Sequence, residues 1–210
     1  MPRLPRTDIK ATLLRTALKI FAKNGYHATS LSQIAVEAGV TKGTIYWYFK
    51  DKSDLFESAI REKVTELDRT LTVSIPSNAP ADVQMRQLLQ ITFGFHADNP
   101  ELANLFNIVR SGSEIALDID QDLREYYRTV RQDCRNIVEL GIKQGLFPPA
   151  NSFTLATWIL ATIDGIAIQW GLDPAQIDIL SITAEITEYI IQQLRMGRPT
   201  GVTTYAPEGS

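Results

Sequence analysis

The sequence predicts an all-α fold, and three observations carry that prediction. Apolar residues recur at helical spacing through nearly every segment, and glycine, proline and capping residues punctuate those segments at helix-length intervals. No stretch alternates apolar and polar residues for long enough to propose a strand, and there is no internal repeat or low-complexity run. About nine helices are expected. The 210 residues suffice for one large domain, or for a small one joined to a medium one.

Leu14, Ala17, Leu18 and Phe21 make one face of a first helix at about 7–24, stopped by Asn24-Gly25. In "TSLSQIAVEAG" the Ser30 hydroxyl can cap a second helix while Gln33 answers three residues on, and Gly39 supplies the left-handed exit. Thr41 caps a third helix at about 42–48. Asp51 caps a fourth, from Lys52 to about Ser74, on the stripe Leu55, Ala59, Val64, Leu67, Leu71. "IPSNAPAD" breaks the chain at 75–82. Helices near 81–98, 100–111 and 117–144 follow, with Asn99 as the cap of the second and Pro100 in its first turn. A helix at about 152–171 precedes a last one that starts at Asp173-Pro174 and runs to Met196, and 198–210 reads as a loose tail.

Charge divides the chain. Residues 1–52 hold nine Lys/Arg against three acids, whereas the other 158 residues hold 12 bases against 21 acids. A basic head on an acidic body is the asymmetry expected when one end meets a polyanion. Residues 1–52 are therefore taken as the head, 53–197 as the body and 198–210 as the tail.

Residues 31–50 carry the information about that head. In a helix-turn-helix the steep crossing of two helices dictates residue types at particular positions. Ile34 is apolar, Ala35 is small where the helices nearly touch, and Ala38, Gly39 and Val40 make the turn and plug its corner. Ile45 and Tyr48 return to the core, so seven positions agree over twenty residues. At about 100° per residue, Thr41, Ile45, Tyr48 and Phe49 gather inward, while Gly43, Thr44, Tyr46 and Trp47 face out with Lys42 at their shoulder. An indole, a phenol, a hydroxyl and a glycine suit a DNA major groove better than bulk water. The glycine admits the backbone, the hydroxyl reaches a phosphate or base edge, and the aromatics meet thymine methyls and sugars. Lys50 and Lys52 sit where the chain leaves the groove and can pair with phosphates. Arg3 and Arg6, on a proline-stiffened arm, can enter the adjoining minor groove.

The run Gly39-Val40-Thr41-Lys42-Gly43-Thr44-Ile45-Tyr46 followed by Tyr48-Phe49-Lys50 resembles the recognition-helix signature of the TetR family of bacterial transcriptional regulators. Phe21, Gly25 and Thr29 also fall where such proteins have them, and the resemblance is densest from Ala17 to Ala59. It implies a homodimer whose N-terminal helices bind a palindromic operator and whose remaining helices dimerise and enclose a small-molecule effector. It implies Thr29, Lys42, Thr44, Tyr46, Tyr48 and Lys50 as positions that commonly meet DNA. Repression rather than activation rests on the resemblance alone.

The body supports dimerisation on its own terms. Residues 153–170 are apolar nearly all round, Ala161 and Gly165 allow close backbone approach, and Ile179, Ile182, Ile186 and Ile190 line one side of the final helix. Two such helices from each subunit would make a four-helix bundle and set two recognition helices about 34–36 Å apart. Candidate effector walls are Phe93, Phe95, Phe106, Tyr126, Tyr127 and Trp158, with His96 and Asp164 as polar groups. Asp164 in an apolar helix needs a partner.

Other classes fit poorly. "DIDQD" at 118–122 opens like a calcium loop, but Leu123 and Thr129 stand where glycine and glutamate are needed. No CxxC, HExxH, phosphate-cradling glycine loop or GxSxG occurs, so no metal, no cofactor and no enzyme are expected. The apolar window 153–172 is long enough to span a bilayer, but it carries Asp164 near its middle and lacks a basic flank, so no membrane is expected. A single Cys134 and the absence of a signal-like start suit the cytoplasm. The alternative reading, a helical small-molecule-binding or scaffold protein without operator binding, leaves the basic outward-facing helix unexplained.

Overall fold

The structure, a computed structural model, describes residues 6–102 and 116–197, with side chains from 9–102 and 124–197. Its described residues form eight α-helices and no strand. They are α1 (Arg6–Asn24), α2 (Leu31–Glu37), α3 (Lys42–Tyr48), α4 (Lys52–Ser74), α5 (Ala81–Asp98), α6 (Ala116–Lys143), α7 (Ser152–Leu172) and α8 (Ile179–Met196). The all-α expectation holds. The helix expected at 100–111 and the tail lie outside the described residues, apart from a helical Glu101 and Leu102. Arg3 is likewise outside them, and Arg6 belongs to the first turn of α1 rather than to an arm.

Two apolar cores are joined by one long helix. The first gathers Leu13, Ala17, Leu18 and Phe21 of α1, Ile34 and Ala35 of α2, Ile45 and Phe49 around α3, and Leu55 and Phe56 of α4. Phe21 is its centre, stacked on Tyr26 at 5.5 Å and meeting Phe56 edge-on at 4.9 Å. The second core packs Met85, Leu89 and Phe93 of α5 against Cys134 and Val138 of α6, Ile159 of α7, and Ile190 and Leu194 of α8. Along α4 the allegiance changes: Leu55, Phe56 and Ala59 serve the first core, and Leu71 packs on the second. At 23 residues α4 is about 34 Å long and links the two mechanically.

Most helix ends follow from local chemistry. Ser30 and Gln33 form the complete capping box, and Thr41 and Asp51 accept from the amides of Thr44 and Asp54. Pro80 has no side chain to cap α5, so Gln144, just past α6, accepts from the Ala81 amide at 2.9 Å. Asn99 closes α5, donating from its side chain to the Phe95 carbonyl at 2.8 Å, and its own carbonyl accepts from the Leu102 amide at 3.0 Å at the expected start of the next helix. One expected helix start is corrected. Asp173 ends α7, and α8 begins six residues later at Ile179, capped by Asp178, which accepts from the amides of Leu180 and Ser181.

Gly141 shows how tightly the body is closed. After α6 the chain turns through Gly145 at φ 71°, and the amides of Leu146 and Phe147 both donate to the Gly141 carbonyl. This folds Phe147, 3% exposed, directly over Gly141, where a β-carbon would intrude on its ring. Gly141→Ala is expected to destabilise the protein by about 1–2 kcal/mol, overpacking outweighing the better helix propensity of alanine. A thermal melt several degrees lower checks this, and an unchanged melt contradicts it.

Candidate nucleic-acid interface

The turn between α2 and α3 is set by backbone chemistry. Gly39 adopts φ 68°, and the Val40 amide donates to the Ala35 carbonyl at 2.9 Å. Ile45 and Phe49, 0% and 2% exposed, then anchor α3 from below. This leaves Lys42, Gly43, Tyr46 and Trp47 on the outer surface, with Tyr46 52% and Trp47 62% exposed. The Lys42 ammonium lies 5.7 Å from the Tyr46 ring centre, and Trp47 meets Tyr48 edge-on at 4.5 Å. Tyr48 is half-buried against the first core and supports the indole. The Thr44 hydroxyl lies 2.9 Å from that of Thr41, which is exposed rather than inward. Lys50 is exposed just past the helix. No Asp or Glu falls between Glu37 and Asp51, so the surface carries only positive charge.

Two residues assigned to DNA have other work. Thr29 is 2% exposed, and its hydroxyl donates to the Gly25 carbonyl at 2.7 Å, so its side chain stabilises the α1–α2 loop instead of reaching outward. Lys52 points inward. Its ammonium donates to the carbonyls of Tyr26 and Thr29, each at 2.9 Å, and more weakly to that of His27 at 3.5 Å. It also lies 4.3 Å from the Tyr26 ring centre, and burial lowers its pKa below the ordinary lysine value. The first turn of α4 thus grips the loop that positions α2.

In the body the candidate effector residues separate. Phe93 is 0% exposed and belongs to the second core. Trp158, 40% exposed, lies on a groove between α7 and α8 with Leu155 and Leu194. Phe106 is outside the described residues. His96 and Tyr126 do come together with Phe95, around a small chamber of about 20 Å³ walled by Ile60, Val64 and Leu67 of α4. Its volume holds about one water. Tyr127 meets Tyr126 edge-on at 5.4 Å, and the charge of Asp164 adds to burial in pushing the Tyr126 phenol well above its ordinary pKa. His96 is 8% exposed, and its ring has no hydrogen-bond partner among the described residues. Burial lowers its pKa to about 4, so at neutral pH it is an uncharged imidazole. The walls from α4, above all Ile60 and Lys63, were missed in the sequence because they read as ordinary members of an amphipathic helix.

Residues 13–59 match the family of bacterial regulatory proteins described as the tetR family, and residues 84–195 match the C-terminal domain of BetI-type transcriptional repressors. The chain belongs to the TetR family. It is a DNA-binding transcriptional regulator with an N-terminal helix-turn-helix, not an enzyme. Its TetR-family relatives include the regulator BetI of Vibrio atlanticus, 30% identical over 200 residues, covering 92% of this chain and 96% of that one. The fatty acid metabolism regulator protein of Bacillus subtilis is 27% identical over 180 residues, 85% and 92% of the two chains. The crystal structure of FadR from Bacillus subtilis in complex with stearoyl-CoA superposes with a TM-score of 0.76 at 25% identity, covering 86% of this chain and 97% of that one.

Proposed function

We propose that this TetR-family protein is a cytoplasmic homodimeric repressor that holds a palindromic operator through α3 of each subunit and leaves it when a small, largely apolar ligand enters the body. The observation that carries the DNA reading is the acid-free outer face of α3, where Tyr46 and Trp47 are exposed between Lys42 and Lys50 on a helix anchored by a buried isoleucine. Gly43 and Thr44 join this face, and Tyr48 holds Trp47 in place. Lys50 supplies phosphate contact and Tyr46 contact within the groove.

Dimerisation is supported by what α7 and α8 leave uncovered. Only 28% of the most apolar window of α7 is buried, although by length and composition alone this helix could cross a membrane. Phe153, Leu172, Leu180, Tyr189 and Met196 are each more than half exposed. A second copy would cover them. Ile179 and Ile190 serve the subunit's own core, while Ile182 and Ile186 are half-buried, so the face lies beside the isoleucine row rather than on it. The stearoyl-CoA bound by the Bacillus subtilis relative makes long-chain acyl compounds the ligand class to try first.

Gel retardation of a palindrome from the protein's own promoter region tests the reading. Tyr46→Ala is expected to weaken operator binding by about 1–3 kcal/mol. Lys50→Ala should weaken binding to all sequences alike and reduce the slope of log K against log salt by about 1. Unchanged affinity and salt slope in both variants would remove α3 from the interface.

A further inference from the structure

The acidic body carries one basic face. Four of the 12 bases beyond residue 52, Arg124, Arg128, Arg131 and Arg135, stand on α6. At about 100° per residue they fall within about 60° of one another. Arg135 is engaged within its own subunit, with Glu139 at 3.2 Å and with Gln132 and Ser152. Arg128 reaches Glu125 at 3.5 Å, but both side chains are 70% exposed, so the pair contributes little. Arg131 has no acidic partner among the described residues. Its guanidinium lies 5.6 Å from the Phe153 ring centre, and its Nε is buried with no hydrogen-bond partner among the described residues.

The course of the helices determines what this face can meet. Tyr126 lies against Ile60 and Val64 of α4, and Gln144, past the end of α6, bonds Ala81, past the end of α4, so both helices lead away from the head. α7 returns towards the head, with Ser152 beside Arg135 and the charge of Asp164 acting on Tyr126. α8 leads away again, because Leu155 shares a groove with Leu194 and Gly197. Phe153, beside α6, and Leu155, beside α8, lie about 160° apart around α7, so α6 and α8 flank it on opposite sides. Two heads reach one duplex only if the two-fold axis runs from head to body, and therefore along these helices. About such an axis α7 packs on the α8 of the partner, and α6 comes alongside that same helix.

The exposed edge of α8 turned away from its own α7 carries Glu185, Glu188 and Gln192. Glu185 has no basic partner among the described residues, and Glu188 holds Arg86. At about 1.5 Å per residue, Arg128 stands about 8 Å from the level of Glu188 and Arg131 about 6 Å from that of Gln192. Arginine side chains on α6 lean towards its N-terminus, the direction in which both lie. Resting on the dimeric operator-binding reading, we infer that Arg128 and Arg131 pair with the row Glu185, Glu188 and Gln192 of a second copy, and that this charged rim selects the partner. The apolar faces of α7 and α8 supply affinity but accept any apolar helix pair. Two rims, related by the two-fold, accept only a chain with the same arrangement of charge.

Sedimentation equilibrium of the full chain without DNA tests this with two variants, Arg128→Glu/Arg131→Glu and Glu185→Arg/Glu188→Arg. Each alone places like charges at both rims and is expected to raise the dimer dissociation constant by about thirtyfold or more. An equimolar mixture of the two is expected to dimerise within about fivefold of wild type, because both rims of the mixed dimer again join opposite charges. Misfolding of either variant would not give that recovery. A variant that dimerises like wild type, or a mixture no stronger than its components, overturns the pairing while leaving the dimer in place. A wild type that sediments as a monomer throughout removes the dimeric reading and the pairing with it. Operator retardation by the wild type is scored separately and decides the DNA reading on its own.

Discussion

Replacing Lys52 with methionine is expected to loosen the whole reading head while leaving the salt slope of residual operator binding unchanged. Methionine keeps the stem of the side chain but removes the ammonium that the carbonyls of Tyr26, His27 and Thr29 share. Hydrogen bonds from a charged donor contribute about 1.5–3 kcal/mol each, and partial access of water to the freed carbonyls limits the total to about 2–3 kcal/mol. For a chain of this size that corresponds to a melting temperature lower by about 5–10 °C. Operator affinity falls as well, because the loop sets the entry of α2 and thereby the aim of α3. A phosphate-contacting lysine behaves oppositely: its loss leaves stability intact and reduces the salt slope by about 1. A stable variant with a shallower slope would return Lys52 to the DNA.

The head was largely legible because its determinants are local. Ser30 with Gln33, Thr41 with Thr44 and the left-handed Gly39 all act within four residues, so motif and geometry coincide. The hold of Lys52 on the loop was not legible, because the carbonyls it caps lie 23 to 26 residues earlier in the chain. One clue was present. A lysine in the first turn of a helix opposes the helix dipole, so such a cation needs acceptors from elsewhere. Thr29, placed by resemblance alone, is occupied by the carbonyl of Gly25 four residues back.

The body was less legible, for a physical reason. A helix apolar on every side has no phase, so nothing in 153–170 told Trp158 at the surface from Ile159 in the core. The start of α8 was ambiguous in a similar way. Asp173-Pro174 and Asp178 are both acceptable beginnings, and the chain uses the first as a turn, with the amides of Gln176 and Ile177 donating to the Asp173 carbonyl. Of the aromatic candidates among the described residues, only Phe95 and Tyr126 line the chamber, since facing a void depends on how helices distant in sequence pack. His96 was recoverable as a polar group, but its burial among α4, α5 and Tyr126 is a tertiary fact.

That burial makes His96 the expected cause of a loss of stability in mild acid. Its folded-state pKa is about 4, against 6.5 for an exposed histidine. Between those values the unfolded chain binds a proton that the folded chain refuses, so stability increases with pH through the window and is lost as pH falls from 6.5 towards 4. The contribution reaches about 3 kcal/mol in full and about 2 kcal/mol at pH 5. Lys63, which lines the same chamber, carries the sign that further opposes an imidazolium there. Urea unfolding at pH 7.5 and pH 5 measures the effect. Wild type should lose about 2 kcal/mol more than His96→Leu over that interval. The other histidine, the exposed His27, is common to both proteins and cancels in the difference. Parallel pH profiles in the two proteins would mean that the imidazole is solvated or partnered in the folded state.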